Sequence, residues 1–329
     1  MSNINSEDFI QTFNTENYTV GTIGYGFIGN AVVELFRDKF DVIVYDKAGY
    51  DGKIKPLKVV FSESVDTVVK NCQVIFVAVP TPMKKSGECH TGIVESVLQD
   101  IQNAAIRCKV PIENFIVVLK STIPPGFTKK MQDKYALRIV FSPEFLTEAN
   151  AVQDFKTTNR VILGGDIEDA RVVFKFFEAV WPDRLAETYV DNPHGIVNII
   201  QCDSTEAEMV KLSTNIHLTS KVMISNELYL ICQKLGVEYN NVKILTQLDQ
   251  RIGFSHMNVP GPDGNLGYGG HCFVKDTQNL SFISENLGIS SNNLFKSLHQ
   301  RNLEIREDRN WEEQKGRAVI DDEESWLFR

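Results

Sequence analysis

The chain has 329 residues, more than one hydrophobic core usually organises, so two domains or one large α/β domain with an appendage is expected. Apolar residues make up 43% and charged residues 23%, which excludes the disordered and membrane classes. The net charge of -9 and pI near 5.3 exclude non-specific nucleic-acid binding, which needs clustered Lys and Arg, but not one small phosphorylated ligand.

After a polar leader (residues 1–16), Tyr18 to Ile23 reads as a short buried strand, Ala31 to Arg37 has helical apolar spacing, and Asp41 to Tyr45 resumes a strand. Further apolar runs at Gln73 to Val79, Phe115 to Leu119, Arg138 to Phe141 and Arg160 to Leu163 alternate with helix-like segments, notably Thr91 to Arg107 and Ala170 to Val180. This predicts an α/β fold, a Rossmann-type doubly wound parallel sheet over residues 17–202. Ser204 and Thr205 open a long periodic segment, with Glu208 three after Thr205 as a capping box, that runs to about Leu235 before Gly236. It reads as a spine helix beginning a small, mainly helical domain (residues 203–308). A further helical stretch, a Gly/Pro-rich loop from Val259 to Gly270 and two shorter helices reaching about Asp308 follow, then a charged tail (residues 309–329) expected to be mobile. The six cysteines, at 72, 89, 108, 202, 232 and 272, include no CxxC pair and no metal or disulfide spacing, which fits a reducing cytosol. The amino terminus has no signal-peptide pattern, and the longest strongly apolar run, Val74 to Val79, is too short to span a bilayer. A cytoplasmic protein with no membrane partner and no metal is expected.

Gly24, Gly26 and Gly29, with Phe27 and Ile28 among them, form GxGxxG where the first strand meets its helix. The first two glycines allow a tight turn and close approach of a pyrophosphate, and the third lets helix and strand pack closely. Asp46 ends the next strand twenty positions after Gly26, where its carboxylate can accept hydrogen bonds from an adenosine ribose. It would repel a 2'-phosphate, so NAD is favoured over NADP, a preference that Lys47 tempers. A glycine turn without a ligand is the competing reading.

In GYGGHCFVKD, Cys272 follows a glycine run that lets a thiol reach a substrate carbon, with Lys275 and Asp276 just after it. A lone cysteine is as readily a small buried hydrophobe. Lys211 and Asn215 are spaced i, i+4 on the long helix and could stabilise an oxyanion and favour thiolate, or simply form a polar helix surface. Glu144 and Glu148 are i, i+4 in SPEFLTE, where Ser142 and Pro143 look like a helix cap and first position; ordinary first-turn acids are the alternative. Thr122, in KSTIPPG, sits at a strand's carboxyl end, where ligands gather in open sheets, or is a structural turn residue. His271 reads as structural.

The motifs GYGFIG, VAVPTP, KSTIPPGF, SPEFLTEANA, EMVKLSTN, LDQRIG and GYGGHCFVKD, in this order from about Tyr18 to Arg306, resemble the UDP-glucose/GDP-mannose dehydrogenase family, most closely its UDP-glucose branch. The resemblance implies a double oxidation of a C6 alcohol to a carboxylate, with two NAD consumed and Cys272 carrying first a thiohemiacetal and then a thioester. It also implies that Lys211 and Asn215 serve the oxyanion, that Asp276 and Thr122 attend the catalytic water, and that Glu144 and Glu148 are acids of the substrate and catalytic site. Glu148, Thr122, Thr81 and Lys275 would stand near the cofactor. Phe145, Leu146, Thr147 and Glu148, with His256, Gly267, Gly269 and Gly270, would line the sugar-nucleotide site. Arg251 matches an arginine that family dimers place in the neighbouring subunit's site, and the 204–235 helix matches their dimer core, which implies a homodimer.

Two departures stand out. Val274 replaces the proline usual in the cysteine motif, which changes loop stiffness more than chemistry. Only 57 residues follow Cys272, fewer than a second Rossmann-like, UDP-holding domain needs beside two helices. The first domain and dimer partner, weak affinity, or another chain would then account for uridine. GDP-mannose or another nucleotide sugar is the alternative substrate. A non-catalytic NAD or sugar-nucleotide binding component of a hetero-complex, and a cysteine-independent 2-hydroxy-acid type dehydrogenase, are the alternative classes.

Overall fold

The computed structural model describes residues 13, 15–49, 58–183, 185–186 and 196–320, so the expectations for most of the leader and for residues 321–329 lie outside it. Among the described residues, β1 (Thr19–Ile23), β2 (Asp41–Tyr45), β3 (Val59–Ser62), β4 (Val74–Val77), β5 (Ile116–Leu119), β6 (Ile139–Phe141), β7 (Arg160–Gly164), β8 (Leu185–Ala186) and β9 (Val197–Cys202) form one sheet ordered β3-β2-β1-β4-β5-β6-β7-β9-β8. Neighbours run parallel except β6 and β7, which meet antiparallel at Phe141 and Gly164. The doubly wound α/β architecture expected from the alternating runs is present.

Two compact units divide the chain: the described residues up to Pro80 with Thr91–Lys211, and Thr81–His90 with the described residues from Leu212 onward. The first holds the sheet with α1 (Phe27–Phe36), α2 (Val65–Asn71), α3 (Gly92–Cys108), α4 (Phe127–Tyr135), α5 (Ala151–Lys156), α6 (Ile167–Val180) and the start of α7 (Ser204–Leu235). Strands such as VIFV and IVVL are apolar at every position because helices cover both sheet faces. Successive residues of β4 point to opposite sides: Phe76 joins Phe36, Phe40, Phe176, Phe177 and Trp181 in one core, whereas Ile75 and Val77 join Leu98, Ile101 and Phe115 in the other. Phe13, from the leader, stacks on Tyr18 at 5.2 Å between ring centroids. The sequence reading omits α4, whose apolar residues Phe127, Met131 and Tyr135 mark only one narrow stripe, and the short β3–α2 pair, where Ser64 Oγ accepts from Asp66 N at 3.1 Å as helix cap.

The start of α7 differs from expectation. Asp203, not Ser204 or Thr205, is the cap: its Oδ1 accepts from Thr205 N at 2.8 Å, and Glu206 returns to accept from Asp203 N at 3.0 Å. The capping box lies two residues earlier than expected because aspartate is a strong N-cap and the acid three positions on is Glu206. Glu208 is thereby freed for another end. Fully buried, it accepts from Gly126 N at 2.5 Å, Thr128 N at 2.8 Å and Thr128 Oγ1 at 2.6 Å, capping α4 from a different helix. Burial raises its pKa and these hydrogen bonds oppose that shift.

Lys120, immediately after β5, donates to Ser142 Oγ and Pro143 O, immediately after β6, both at 3.3 Å. Its ammonium also lies 5.0 Å from the Phe155 ring centre. Burial brings the amine down to about 7, with Glu144 opposing and Lys211 assisting the shift.

The second unit contains the rest of α7 with α8 (Tyr239–Thr246), α9 (Cys272–Asn286) and α10 (Leu294–Ile305). Its core gathers Met83, Met223, Tyr268, Val274, Trp311 and Ala318. Residues 309–320, read from their charge as part of a mobile tail, are therefore held in place: Trp311, Ala318 and Ile320 are buried, and Met83 exchanges backbone hydrogen bonds with Ala318 and Ile320. Three apolar residues outweigh the charged composition because burying each contributes roughly 1–3 kcal/mol. No helix among the described residues is long and apolar enough to cross a membrane.

Glu208→Ala is expected to destabilise the protein by about 3 kcal/mol in urea titrations, because it leaves buried N–H donors without partners, and Glu208→Gln by less. The depressed Lys120 amine contributes stability that is present above the ordinary lysine pKa and lost as pH falls toward 7, the value it takes in the fold. Between pH 7 and 10 the wild type should therefore gain stability faster than Lys120→Met, by on the order of 1 kcal/mol per pH unit. Parallel slopes would contradict the assignment.

Candidate active site

In the first unit the β1–α1 turn combines three glycines with three different surroundings. Gly24, at φ +91°, would place a Cβ 2.4 Å from Ala78 O, and Gly29 would place one 1.9 Å from Gly24 O. Gly26 meets nothing within 4 Å, so the protein's own packing does not require glycine there. A ligand approaching the backbone does, and Gly26 is the N-cap of α1 with no side-chain cap. The first-turn N–H groups of Phe27, Ile28 and Gly29 have no intrahelical acceptors, which suits an anion such as a pyrophosphate. Asp46 Oδ2 accepts from Tyr25 N at 2.6 Å and Oδ1 from Ala48 N at 2.8 Å. It braces the turn, and a carboxylate's roughly four acceptor sites leave capacity for ribose hydroxyls. Lys47 is exposed beside it. These features fit a dinucleotide.

The acidic segment departs from its expected form. Residues 142–147 are not helical; a 3-10 turn spans Glu148–Asn150 and α5 begins at Ala151. Glu144 and Glu148 therefore do not share a helix face. Glu144 Oε2 accepts from Leu146 N at 2.7 Å, closing a local turn that competes with helix formation, and Oε1 accepts from Lys211 Nζ at 2.7 Å. Lys211 also donates to Glu144 O at 2.7 Å, with both side chains buried, while Glu148 is exposed. Phe145 is covered by the Arg160 guanidinium at 4.2 Å from its ring centre, and Thr147 bonds Asp154 through its N–H and hydroxyl. Leu146 packs at the edge of the aromatic core. Thr122 is buried just past β5, beside Ser121, whose hydroxyl bonds both N–H and C=O of Val79.

In the second unit Cys272 is the first residue of α9, after the N-cap His271, which makes no side-chain cap bond. One turn later Asp276 is almost fully buried, accepting from Lys275 Nζ at 2.7 Å and from Asn215 Nδ2 at 2.5 Å. Burial opposes the Lys275 charge, yet Asp276, Cys89 and Cys272 together hold its ammonium above the ordinary lysine range. Thr81 also lies in this unit, where its side chain hydrogen-bonds Cys89. Lys211 and Asn215 thus occupy successive turns of α7, and each serves a buried carboxylate.

Gly267 and Gly269 face side chains of the same unit, Asn302 and Arg306, whereas Gly270, at φ +69°, meets nothing within 4 Å. His256, at φ +63°, lies 5.7 Å from Phe273 between ring centres. Arg251 is exposed and pairs with Asp249 through Nε at 2.9 Å and Nη2 at 2.5 Å. The sequence reading missed Lys120, Asn302 and Arg306 and gave Glu208 the wrong helix to cap; each finds its partner at a distance in sequence, which no local spacing signals.

Two family models match: the UDP-glucose/GDP-mannose dehydrogenase family NAD binding domain over residues 50–181, and the central domain of the same family over residues 205–304, together more than two thirds of the chain. A UDP-glucose 6-dehydrogenase of Rickettsia bellii is 28% identical over 236 residues, covering 70% of this chain and 49% of that protein. A putative UDP-glucose 6-dehydrogenase of Bacillus subtilis is 30% identical, covering 68% and 49%. Among solved structures, a UDP-glucose dehydrogenase from the hyperthermophilic archaeon Pyrobaculum islandicum superimposes with a TM-score of 0.69 at 25% identity, covering 89% of this chain and 68% of that one. The chain spans about half the length of the curated relatives it matches. With the glycine turn, the doubly wound sheet and the helical unit bearing Cys272 in place, the chain belongs to the UDP-glucose/GDP-mannose dehydrogenase family.

Proposed function

We propose that the chain is an NAD-dependent nucleotide-sugar dehydrogenase that oxidises the C6 alcohol of UDP-glucose to a carboxylate through Cys272. The observation that carries this reading is the buried Lys275–Asp276–Asn215 cluster within one turn of a thiol at a helix N-terminus. The positive end of α9 and the Lys275 ammonium both favour a thiolate nucleophile, and a merely structural cysteine requires neither. The names of the relatives support UDP-glucose over GDP-mannose as substrate.

When bound, NAD supplies the hydride acceptor for each of the two oxidations. The first removes a hydride from C6 and a proton from its hydroxyl, leaving an aldehyde. Cys272 Sγ adds to that carbon to form a thiohemiacetal, and Asn215 with Lys211 donates to the developing oxyanion. Loss of a second hydride leaves a thioester. Water then adds, the C–S bond breaks, one water proton ends on the thiol and the other passes to solvent, and the carboxylate is released, with Asp276 orienting the water. Glu144 pairs with the Lys211 ammonium at a buried position, and Glu148, exposed on its 3-10 turn, is the acid assigned to the nicotinamide side.

The partner of this chain is a second copy, joined through α7. Ile224, Leu228, Ile231 and Leu235 repeat at spacings of four and three residues, so they share one helix face, yet they are 39–71% exposed. An apolar stripe of this length on a single helix seeks a partner, and a twofold pairing covers both copies at once.

With NAD and UDP-glucose the protein should form two NADH per sugar, and Cys272→Ala should reduce that rate by at least about a thousandfold. No NADH with UDP-glucose, GDP-mannose or UDP-N-acetylglucosamine, despite measurable NAD binding, would leave a binding component instead. By sedimentation velocity the wild type should be a dimer and Ile231→Lys largely a monomer at micromolar concentration; a monomeric wild type would refute the interface.

A further inference from the structure

The glycine loop before Cys272 is held by side chains that the reaction does not use. Gly267 N donates to Asn226 Oδ1 at 2.9 Å, and Gly270 N donates to Asn310 Oδ1 at 3.1 Å. Between them Asn302 of α10 pairs with one peptide unit on both sides, its Oδ1 accepting from Tyr268 N at 2.8 Å and its Nδ2 donating to Tyr268 O at 2.9 Å. Arg306, whose side chain has no solvent exposure, spans the loop: Nη1 donates to Leu266 O at 3.2 Å, Nη2 to Asp263 Oδ2 at 2.5 Å and Nε to Asp308 O at 2.6 Å. The cost of burying this guanidinium is offset by its ion pair with Asp263, a carboxylate at the loop's far end.

The space for these side chains comes from two glycines. A Cβ on Gly267 would stand 2.2 Å from Asn302 Oδ1, and one on Gly269 would stand 2.3 Å from Arg306 Nη2. We infer that Asn302 and Arg306 are positioning residues for the Cys272 thiol, and that Gly269 is glycine in order to admit Arg306 rather than a substrate. The inference deepens the role proposed for Cys272. Glycine-rich loops are conformationally free, so a thiol at the end of one is placed only if something outside the loop fixes it. Four polar side chains, one of them on α10 and one at its C-cap, do so here, and they hand the chain to α9 with Cys272 at its first position. A misplacement of about 1 Å can cost on the order of a hundredfold in rate.

The test is a double-mutant cycle of Gly269→Ala and Arg306→Ala in the full chain. It is read by the rate at which iodoacetamide labels Cys272, resolved by peptide mass spectrometry, and in parallel by kcat and the KM for NAD. Gly269 has no positive φ, and the three atoms nearest to an added Cβ all belong to Arg306. Gly269→Ala is expected to slow labelling at least about threefold and kcat at least about tenfold with KM for NAD unchanged. In the Arg306→Ala background, which lacks all three obstructing atoms, adding Gly269→Ala should change neither further. An equal loss in both backgrounds would overturn the inference and assign Gly269 to substrate or thiol access. Should Arg306→Ala fail to fold, Asn302→Ala decides: slower labelling with unchanged NAD affinity supports the clip, and unchanged labelling overturns it. Labelling needs no turnover, so a normal cycle in a protein that forms no NADH would sink the dehydrogenase reading and leave the clip standing.

Discussion

A carboxylate taken out of water must meet a cation or hydrogen-bond donors inside the protein, and most of the chemistry in this molecule follows from how three such groups are satisfied. Glu144 is met by Lys211, Asp276 by Asn215 and Lys275, and Glu208 by the N-terminus of α4. Lys211, Asn215 and Glu208 all belong to α7. Removing any one of them leaves a buried group uncompensated, which costs far more than the modest net worth of an intact hydrogen bond. The helix is thus constrained along its first three turns by polar bonds whose partners sit far away in sequence.

The glycines divide by what stands next to them. Gly24 and Gly29 are demanded by backbone packing, Gly26 by nothing in the chain, and Gly267 and Gly269 by side chains of Asn302 on α10 and Arg306 at its C-cap. In a sequence these look alike. The surroundings separate a position kept open for a ligand from one already filled by the protein, which redirects attention from the loop to the helix behind it.

Exposure carries a comparable lesson about charge. The run EIREDR reads as solvated surface, yet Arg306 within it is fully buried and its neighbour Asp308 supplies a backbone acceptor. Residues 309–320 share that fate, because Trp311, Ala318 and Ile320 bury enough apolar area to hold a polar segment in place.

The alternation of apolar runs determined the doubly wound sheet, the glycine triplet and Asp46 marked the nucleotide turn, and the length and period of residues 204–235 marked α7; all are local patterns, set by residues within a turn or strand of one another. Where the pattern was thin, as in α4 and β3, or where two acids could each complete the capping box, as at Glu206 and Glu208, local reading failed or slipped by two residues. Glu144 meets Lys211 across 67 residues and Arg306 meets Asp263 across 43, and no spacing in the chain announces either pair. Tertiary packing alone decided them, because a buried charge is stable only where the fold happens to deliver its partner.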